Sequence, residues 1–275
     1  MKASATSQQN IGGSTSAYHI GHSNIQGLTI ADPHVVFRGL SYGQWVAVWM
    51  NHIMSGQPDI QYSGKGKGMV FLRGNIEFGY KQDPTHAVFT AITAEKRLRI
   101  LQDTAVFVPV ITTMFYNEDV YQGQIMKDEI SMRNIARRDT VDGGAIGVTI
   151  ASAPSNTRYP LVKDLNEFYV ESPFFPLSVS ENNPYKETKE SAMEAGQYQA
   201  VTVGIFVIIC NWPAGLFRLS VFGRGVGNYL SKSVYDIEVS ASQFKLNDIS
   251  STQLTTKGPW GIPKPIDDMN FALPW

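Results

Sequence analysis

The segment Ser41–Ser55, with the sequence SYGQWVAVWMNHIMS, constrains the fold most because it predicts a short helix with both ends marked. Ser41 followed by Gln44 is the S-x-x-Q form of the capping box, in which each residue satisfies a free backbone N–H group of the first turn. Gly56 and Pro58 are residues that end helices. The sequence therefore predicts a short helix over this segment.

Large side chains recur along this helix at spacings of three and four. Trp45, Trp49 and His52 consequently share one face, and we expect this face to form a buried structural helix core. His52 also admits a second interpretation, because Asp59 follows seven residues later and a His–Asp pair can act as general acid and base. A hydrogen-bonded histidine in the core is the interpretation that we favour.

The composition of the rest of the chain favours β-structure. Charged residues make up 17% of the 275 residues, hydrophobic residues make up 43%, and glycine, proline, tyrosine and phenylalanine are frequent. We predict a mainly β fold, an antiparallel β-sandwich of jelly-roll type, with two short surface or embedded helices. The second helix is predicted over 124–138, where isoleucines recur near a helical period opposite charged residues.

Strands are predicted where β-branched and aromatic residues lie between turn residues. Pro109 falls inside the predicted strand 105–112, which requires an edge position or a bulge because proline cannot donate to a β-ladder. Residues 213–215 (PAG) separate two apolar runs and predict a hairpin connection. The predicted strands are 69–76, 87–93, 105–112, 145–150, 199–210, 216–225 and 232–240.

The chain divides into a central domain and two arms. Residues 1–30 are rich in serine, glutamine, glycine and threonine and predict a flexible N-terminal arm, and residues 31–240 predict the β-sandwich domain. Residues 241–275 form a C-terminal arm that contains proline and the isolated aromatics Trp260, Phe271 and Trp275. Because tryptophan is unfavourable in water, we expect this interaction arm to dock on its own domain or on a neighbour.

Several classes of function are disfavoured. Lys and Arg total 23 against 24 Asp and Glu, so there is no basic field for nucleic acid. The single cysteine, Cys210, lies in an apolar run and predicts a buried, inert thiol.

No apolar run is long enough for a membrane span, and we expect a soluble chain made without a signal peptide. His19 and His22 have a metal-like spacing but no acidic partner nearby, so we predict no metal, no cofactor and no catalytic residue.

The chain resembles a group of uncharacterised, mostly exported bacterial proteins that share the patterns SYGEWxxxWW, VWFLxG, LFFPI, VDG and a P-P-G hairpin before a final Val-Tyr strand. Here the corresponding residues are SYGQWVAVWM (41–50), MVFLRGN (69–75), AVFVPVI (105–111), VDGG (141–144), WPAGLFRLSVFG (212–223) and VYDIEV (234–239). The resemblance implies a shared β-sandwich with an embedded tryptophan helix, and we interpret this chain as a viral member of the group. The group has no established activity to transfer.

Three hypotheses on function remain, in order of preference. The first is a non-enzymatic assembly protein of a virion, either a viral capsid or a capsid-associated subunit such as a minor capsid, penton or decoration protein. Its terminal arms would tie it to copies of itself and to other structural subunits. The second is a carbohydrate- or surface-binding β-sandwich that binds a glycan through exposed tryptophan and tyrosine. The third is a hydrolase centred on His52 and Asp59.

Overall fold

The computed structural model describes residues 25, 27–56, 61–62, 68–73, 81–82, 89–92, 96–118, 120–121, 124–141, 146–153, 158–162, 164–184, 186, 193–224 and 230–241. This part of the chain is mainly β, as the sequence predicts. Its two α-helices are α1 (Tyr42–Met54) and α2 (Glu129–Val141), and a 3-10 helix spans Leu165–Phe168.

Sixteen strands follow one another along the described residues. They are β1 (Thr29–Ile30), β2 (Gln61–Tyr62), β3 (Met69–Phe71), β4 (Lys81–Gln82), β5 (Phe89–Ile92), β6 (Lys96–Leu101), β7 (Ala105–Tyr116), β8 (Val120–Tyr121), β9 (Gln124–Ile125), β10 (Ile146–Ser152), β11 (Tyr159–Pro160), β12 (Tyr169–Glu171), β13 (Phe175–Val179), β14 (Gly196–Cys210), β15 (Gly215–Arg224) and β16 (Leu230–Ser240).

These strands form two seven-stranded sheets and one two-stranded ribbon. In the first sheet the order is β1-β14-β7-β3-β2, and β12 and β13 pair with β14 as well. In the second sheet the order is β11-β10-β15-β16-β5-β4, and β6 also pairs with β16. The ribbon consists of β8 and β9. The long strands β14 and β16 are therefore the centres of their sheets.

Both large sheets are mixed, which corrects the prediction of a purely antiparallel arrangement. β3 runs parallel to β7, and β16 runs parallel to both β5 and β6. The chain leaves β3 in the first sheet, passes through β4, β5 and β6 in the second, and returns to lie beside β3. Hydrophobic alternation specifies which face of a strand is buried but not its partner, so this crossing was not readable from the sequence. The sandwich and its jelly-roll arrangement stay predictions.

The predicted hairpin at 213–215 is wrong, because the two strands that it joins lie in different sheets. β14 pairs with β7, β1, β12 and β13, so both of its edges are occupied. β15 pairs instead with β10 and β16 in the second sheet. The connection begins at Asn211 with φ 53° and ends at Gly215 with φ 149°. It therefore carries the chain across the core from one sheet to the other.

One hydrophobic core joins residues of both sheets. Phe107 and Ile208 of the first sheet share a cluster with Leu219 and Ile237 of the second. β14 is buried at every position from Ala200 to Cys210, whereas a strand with one solvated face would alternate. A strand buried in this way is covered on both of its faces.

Each helix covers one face of β14. Val201 and Val203 pack in a cluster with Met132 and Ala136 of α2. The ring of Phe206 instead lies 5.6 Å from that of Trp49 in α1. Successive side chains of a strand alternate between its faces, so α1 and α2 pack on opposite sides of the first sheet.

Pro109 predicted either an edge position or a bulge, and the structure has a bulge. β7 pairs Ile111 with Ile205 and Pro109 with Phe206, so Val110 has no register partner on β14. The extra residue lies next to the proline, which has no N–H to donate. The bulge thus lets proline occupy a strand that has neighbours on both sides.

The first helix is confirmed, with Ser41 as N-cap and the full Ser41–Gln44 capping box. The second was predicted over 124–138 but begins at Glu129 and ends at Val141. Its start is fixed by Asp128, whose carboxylate accepts a hydrogen bond of 2.8 Å from the Ser131 N–H. The preceding residues Gln124–Ile125 pair with β8 instead.

The predicted domain boundaries at residues 30 and 240 fall beside described strands. Thr29–Ile30, assigned to the end of the N-terminal arm, is already strand β1 and is buried. β16 ends at Ser240, where the sequence ends the predicted domain. Trp260, Phe271 and Trp275, like His19 and His22, lie outside the described residues.

Candidate functional site

The predicted helix core is built around Trp45 and Trp49 of α1. Trp45 is 5% exposed and Trp49 is 2% exposed. The Trp49 Nε1–H donates to the Leu72 carbonyl at 2.8 Å, and its ring lies 6.0 Å from that of Phe107. The Trp45 Nε1–H donates to the Phe37 carbonyl at 2.8 Å. Both indoles are thus hydrogen-bonded inside the protein and are not presented to a ligand.

His52 lies at the C-terminal end of the same helix and is half-buried. Its ring centroid is 5.3 Å from that of Phe71. The Ser55 hydroxyl donates to the His52 carbonyl at 2.6 Å, which ends the helix. Asp59 lies outside the described residues, so the His52–Asp59 pair stays a prediction.

The edge of β14 opposite β7 is completed by short pieces rather than by one strand. β13 pairs with 196–200, β12 with 203–205 and β1 with 209–210. Between β13 and β12, the Ser172 hydroxyl accepts a hydrogen bond from the Thr202 N–H at 2.9 Å. Between β12 and β1, the Tyr42 hydroxyl accepts from the Ile208 N–H at 3.2 Å and donates to the Ala31 carbonyl at 2.7 Å. Two side-chain hydroxyls therefore take the places of missing backbone partners.

Helix α1 also covers the outer edge of β13. The Asn51 amide donates to the Pro176 carbonyl at 3.0 Å, and its oxygen accepts from the Ser178 N–H at 2.9 Å. The Ser180 N–H then donates to the Met54 carbonyl at 3.0 Å. One side-chain amide thus imitates the backbone of a neighbouring strand. Such cover prevents a foreign strand from pairing with this edge.

An ion cluster fastens α2 to β12. Arg137 contacts both carboxylate oxygens of Glu171, at 2.7 and 2.8 Å. Arg133 donates to Glu171 at 3.1 Å, to the Ser172 carbonyl at 2.9 Å and to Glu129 at 2.6 Å. Glu171 is therefore shared by two arginines on one face of the helix.

The electrostatics of this cluster oppose acid–base chemistry. The hydrogen bonds from Arg137, supported by Arg133, lower the pKa of Glu171 below its usual value. Burial, together with the Glu171 carboxylate, raises the pKa of Tyr169 to about 12. A carboxylate held in its ionised form and a phenol held neutral are both poor proton carriers at neutral pH. The cluster is suited to holding elements together.

Sequence reasoning missed Glu171 and Arg133. The regular spacing of Glu129, Arg133 and Arg137 along α2 is a local signal that would have placed them on one face. Glu171 is far from them in sequence and gives no such signal. At the start of α2, hydrogen bonds from the Ser131 backbone and side chain lower the pKa of Asp128.

Both ends of the described domain meet at one place, which we call the exit end and define by Thr29, Gln102, Asn211, Trp212 and Ser240. The Asn211 amide donates to the Thr29 hydroxyl at 3.1 Å. The Trp212 N–H donates to the Gln102 carbonyl, and the Gln102 N–H donates to the Ser240 carbonyl, both at 3.2 Å. Residues 1–24 and the C-terminal arm therefore join the domain at the same end.

The exit end also contains the last residue of β14, Cys210. It is 7% exposed, and burial raises the pKa of its thiol. A buried thiol with a raised pKa holds little thiolate at neutral pH and is a poor nucleophile. The structure thus confirms the prediction of a buried cysteine.

Among the described residues, no group of three or more His, Cys, Asp or Glu side chains is placed to hold a metal ion. Within the same ranges, neither helix is long and apolar enough to cross a membrane. No protein-family model matches the chain, and no curated protein matches it.

Proposed function

We propose that this chain is a non-enzymatic structural subunit whose terminal arms tie it to neighbouring subunits, as in a viral capsid or a capsid-associated layer. Its partners are other copies of the chain and other structural subunits of the same particle. The resemblance to exported bacterial β-sandwich proteins with an embedded tryptophan helix stays a prediction beside this proposal.

The observation that carries the proposal is the exit end. Two segments without a regular apolar pattern, residues 1–24 and the C-terminal arm, attach within one chain of hydrogen bonds that runs from Thr29 through Asn211, Trp212 and Gln102 to Ser240. Two arms that leave one end of a rigid domain can grip a neighbour together. Subunits that exchange arms in this way are held together by chain segments as well as by surface contacts.

The polar side chains of the described domain support the same proposal. Tyr42 and Asn51 complete strand edges, and Arg137 and Glu171 fasten a helix to a strand. These groups stabilise a scaffold, and their hydrogen-bonding capacity is used within it.

The sugar-binding alternative gains no support from the tryptophans of this domain. Trp45, Trp49 and Trp212 are 5%, 2% and 1% exposed, whereas stacking on a sugar ring needs an open aromatic face. The two other tryptophans, Trp260 and Trp275, lie in the C-terminal arm.

Sedimentation of the full chain tests the proposal. We expect a concentration-dependent oligomer, and we expect it to dissociate when Trp260, Phe271 and Trp275 are all changed to alanine in the full chain; we call this protein the arm variant. The variant must keep the circular dichroism and the cooperative thermal transition of the parent chain. A full chain that stays monomeric at every concentration tested would contradict the proposed function.

A further inference from the structure

We propose that the exit end receives the C-terminal arm of a second copy of this chain, so that two copies exchange arms about a twofold axis. This inference rests on the proposed function and names the surface that assembly uses. It is supported by exposed apolar side chains and by the place where the arm leaves the domain.

The exposed apolar side chains are Val35 and Val36. They are 42% and 64% exposed. The loop that carries them is fastened to the exit end by Arg38, whose guanidinium donates to the Asp103 carbonyl at 2.7 Å, beside Gln102. Two adjacent valines therefore face solvent next to the site where both arms attach.

This loop is held in a defined conformation. Arg38 also donates to the Gly68 carbonyl at 2.8 Å, and the Phe37 carbonyl accepts from the Trp45 indole. The His34 N–H donates to the Asp32 carboxylate at 2.8 Å. An apolar surface that is already ordered loses little conformational entropy when a partner binds.

The occupant follows from the path of the chain. β16 ends at Ser240, which is hydrogen-bonded to Gln102, so the C-terminal arm begins beside the surface that it is proposed to cover. The arm carries three aromatic side chains, Trp260, Phe271 and Trp275, that suit an apolar surface such as the two valines.

The position of the arm also favours exchange between two copies. When the donor segment and the receiving surface lie at the same end of one molecule, a twofold axis at that end places each arm over the other copy. Both contacts then form at once and the interface closes. The assembly unit is consequently a symmetric dimer.

Substitutions in the valine loop test the surface. We expect Val35→Asp/Val36→Asp, in the full chain, to weaken dimerisation by at least tenfold in sedimentation. Ile130→Asp is the matched control, because Ile130 is 73% exposed on α2. Its helix packs near Val201, about 30 Å along β14 from Cys210. Dimerisation of the valine variant as tight as that of the control would overturn the inference.

A mixing experiment separates exchange from docking within one chain. The arm variant keeps an intact receiving surface, and the valine variant keeps an intact arm. Mixing the two should restore one of the two contacts and give a heterodimer by native mass spectrometry. If the parent chain dimerises and no heterodimer forms, arm exchange at this surface is wrong, whereas the assembly function is not. If the parent chain is monomeric, both proposals fail.

Discussion

Tyr42→Phe removes one oxygen atom from the centre of the protein and should destabilise it far more than its size implies. Tyr42 is 1% exposed and Ile208 is fully buried. The hydroxyl accepts from the Ile208 N–H at 3.2 Å and donates to the Ala31 carbonyl at 2.7 Å. Phenylalanine fills nearly the same volume, so the change in packing is small and the loss is almost purely of hydrogen bonds.

The magnitude follows from the two groups left behind. A buried donor or acceptor without a partner costs about 1–3 kcal/mol. The hydrogen bond from the Ile208 N–H is long and Ala31 is 7% exposed. We therefore expect the substitution to lower the free energy of unfolding by about 2–4 kcal/mol, less than the summed maximum cost of two unpaired groups. A domain of this kind is stable by about 5–15 kcal/mol, so a loss of this size is readily measured.

Urea denaturation of the parent and variant chains measures this loss as a shift in midpoint at constant slope. Tyr198→Phe is the matched control, because its hydroxyl donates to the Glu194 carbonyl at 3.2 Å in an exposed position, and we expect less than about 0.5 kcal/mol. Hydrogen exchange should also accelerate at the Ile208 amide. Equal midpoints for the Tyr42 and Tyr198 variants would refute the reasoning that a hydroxyl completes this strand edge.

Three further predictions concern neighbouring contacts. Asn51→Ala uncovers the edge of β13, so we expect a loss of about 1–2 kcal/mol and faster aggregation by light scattering; unchanged scattering would contradict the covering role. Glu171→Gln should cost about 1–2 kcal/mol at pH 7 in urea denaturation. Because the folded-state pKa of Glu171 is lowered from 4.5, its contribution is present above that value and is lost as pH falls through the lowered pKa. The difference in stability between the variant and the parent should therefore shrink as pH falls below 4.5, and a constant difference would count against the ion cluster. Gly204→Ala would place a Cβ 2.3 Å from the Ile111 carbonyl oxygen and should cost about 1–3 kcal/mol of stability. Gly68→Ala is the control and should be tolerated, because the nearest atom to its added Cβ is 4.0 Å away. Equal thermal midpoints for the two variants would show that β7 moves aside.

The sequence predicted those features that depend on neighbours along the chain. Ser41 and Gln44 are three residues apart and fix the start of α1 by themselves. Pro109 required an edge position or a bulge wherever its strand was placed, because the missing N–H group is a property of the residue. The burial of Cys210 followed from the apolar run around it.

Features that depend on distant residues could not be predicted in this way. The partner of β15 is β10 and not β14, because both edges of β14 are already filled by β7 and by three short strands. Glu171 meets Arg137 only because β12 pairs with β14 beneath α2. The periodicity of a segment indicates which face it buries, but not which segment it will meet.

The β14 edge and the exit end differ in what a neighbouring molecule would gain by binding there. Along the β14 edge, the hydroxyls of Tyr42 and Ser172 complete the backbone pairing, and Asn51 covers the outer edge of β13. A neighbour that approached this edge would have to displace hydrogen bonds that are already made, and would gain nothing for them. Beside the exit end, Val35 and Val36 are exposed. A neighbour there would bury apolar surface without displacing such hydrogen bonds, so the free energy of association favours that end.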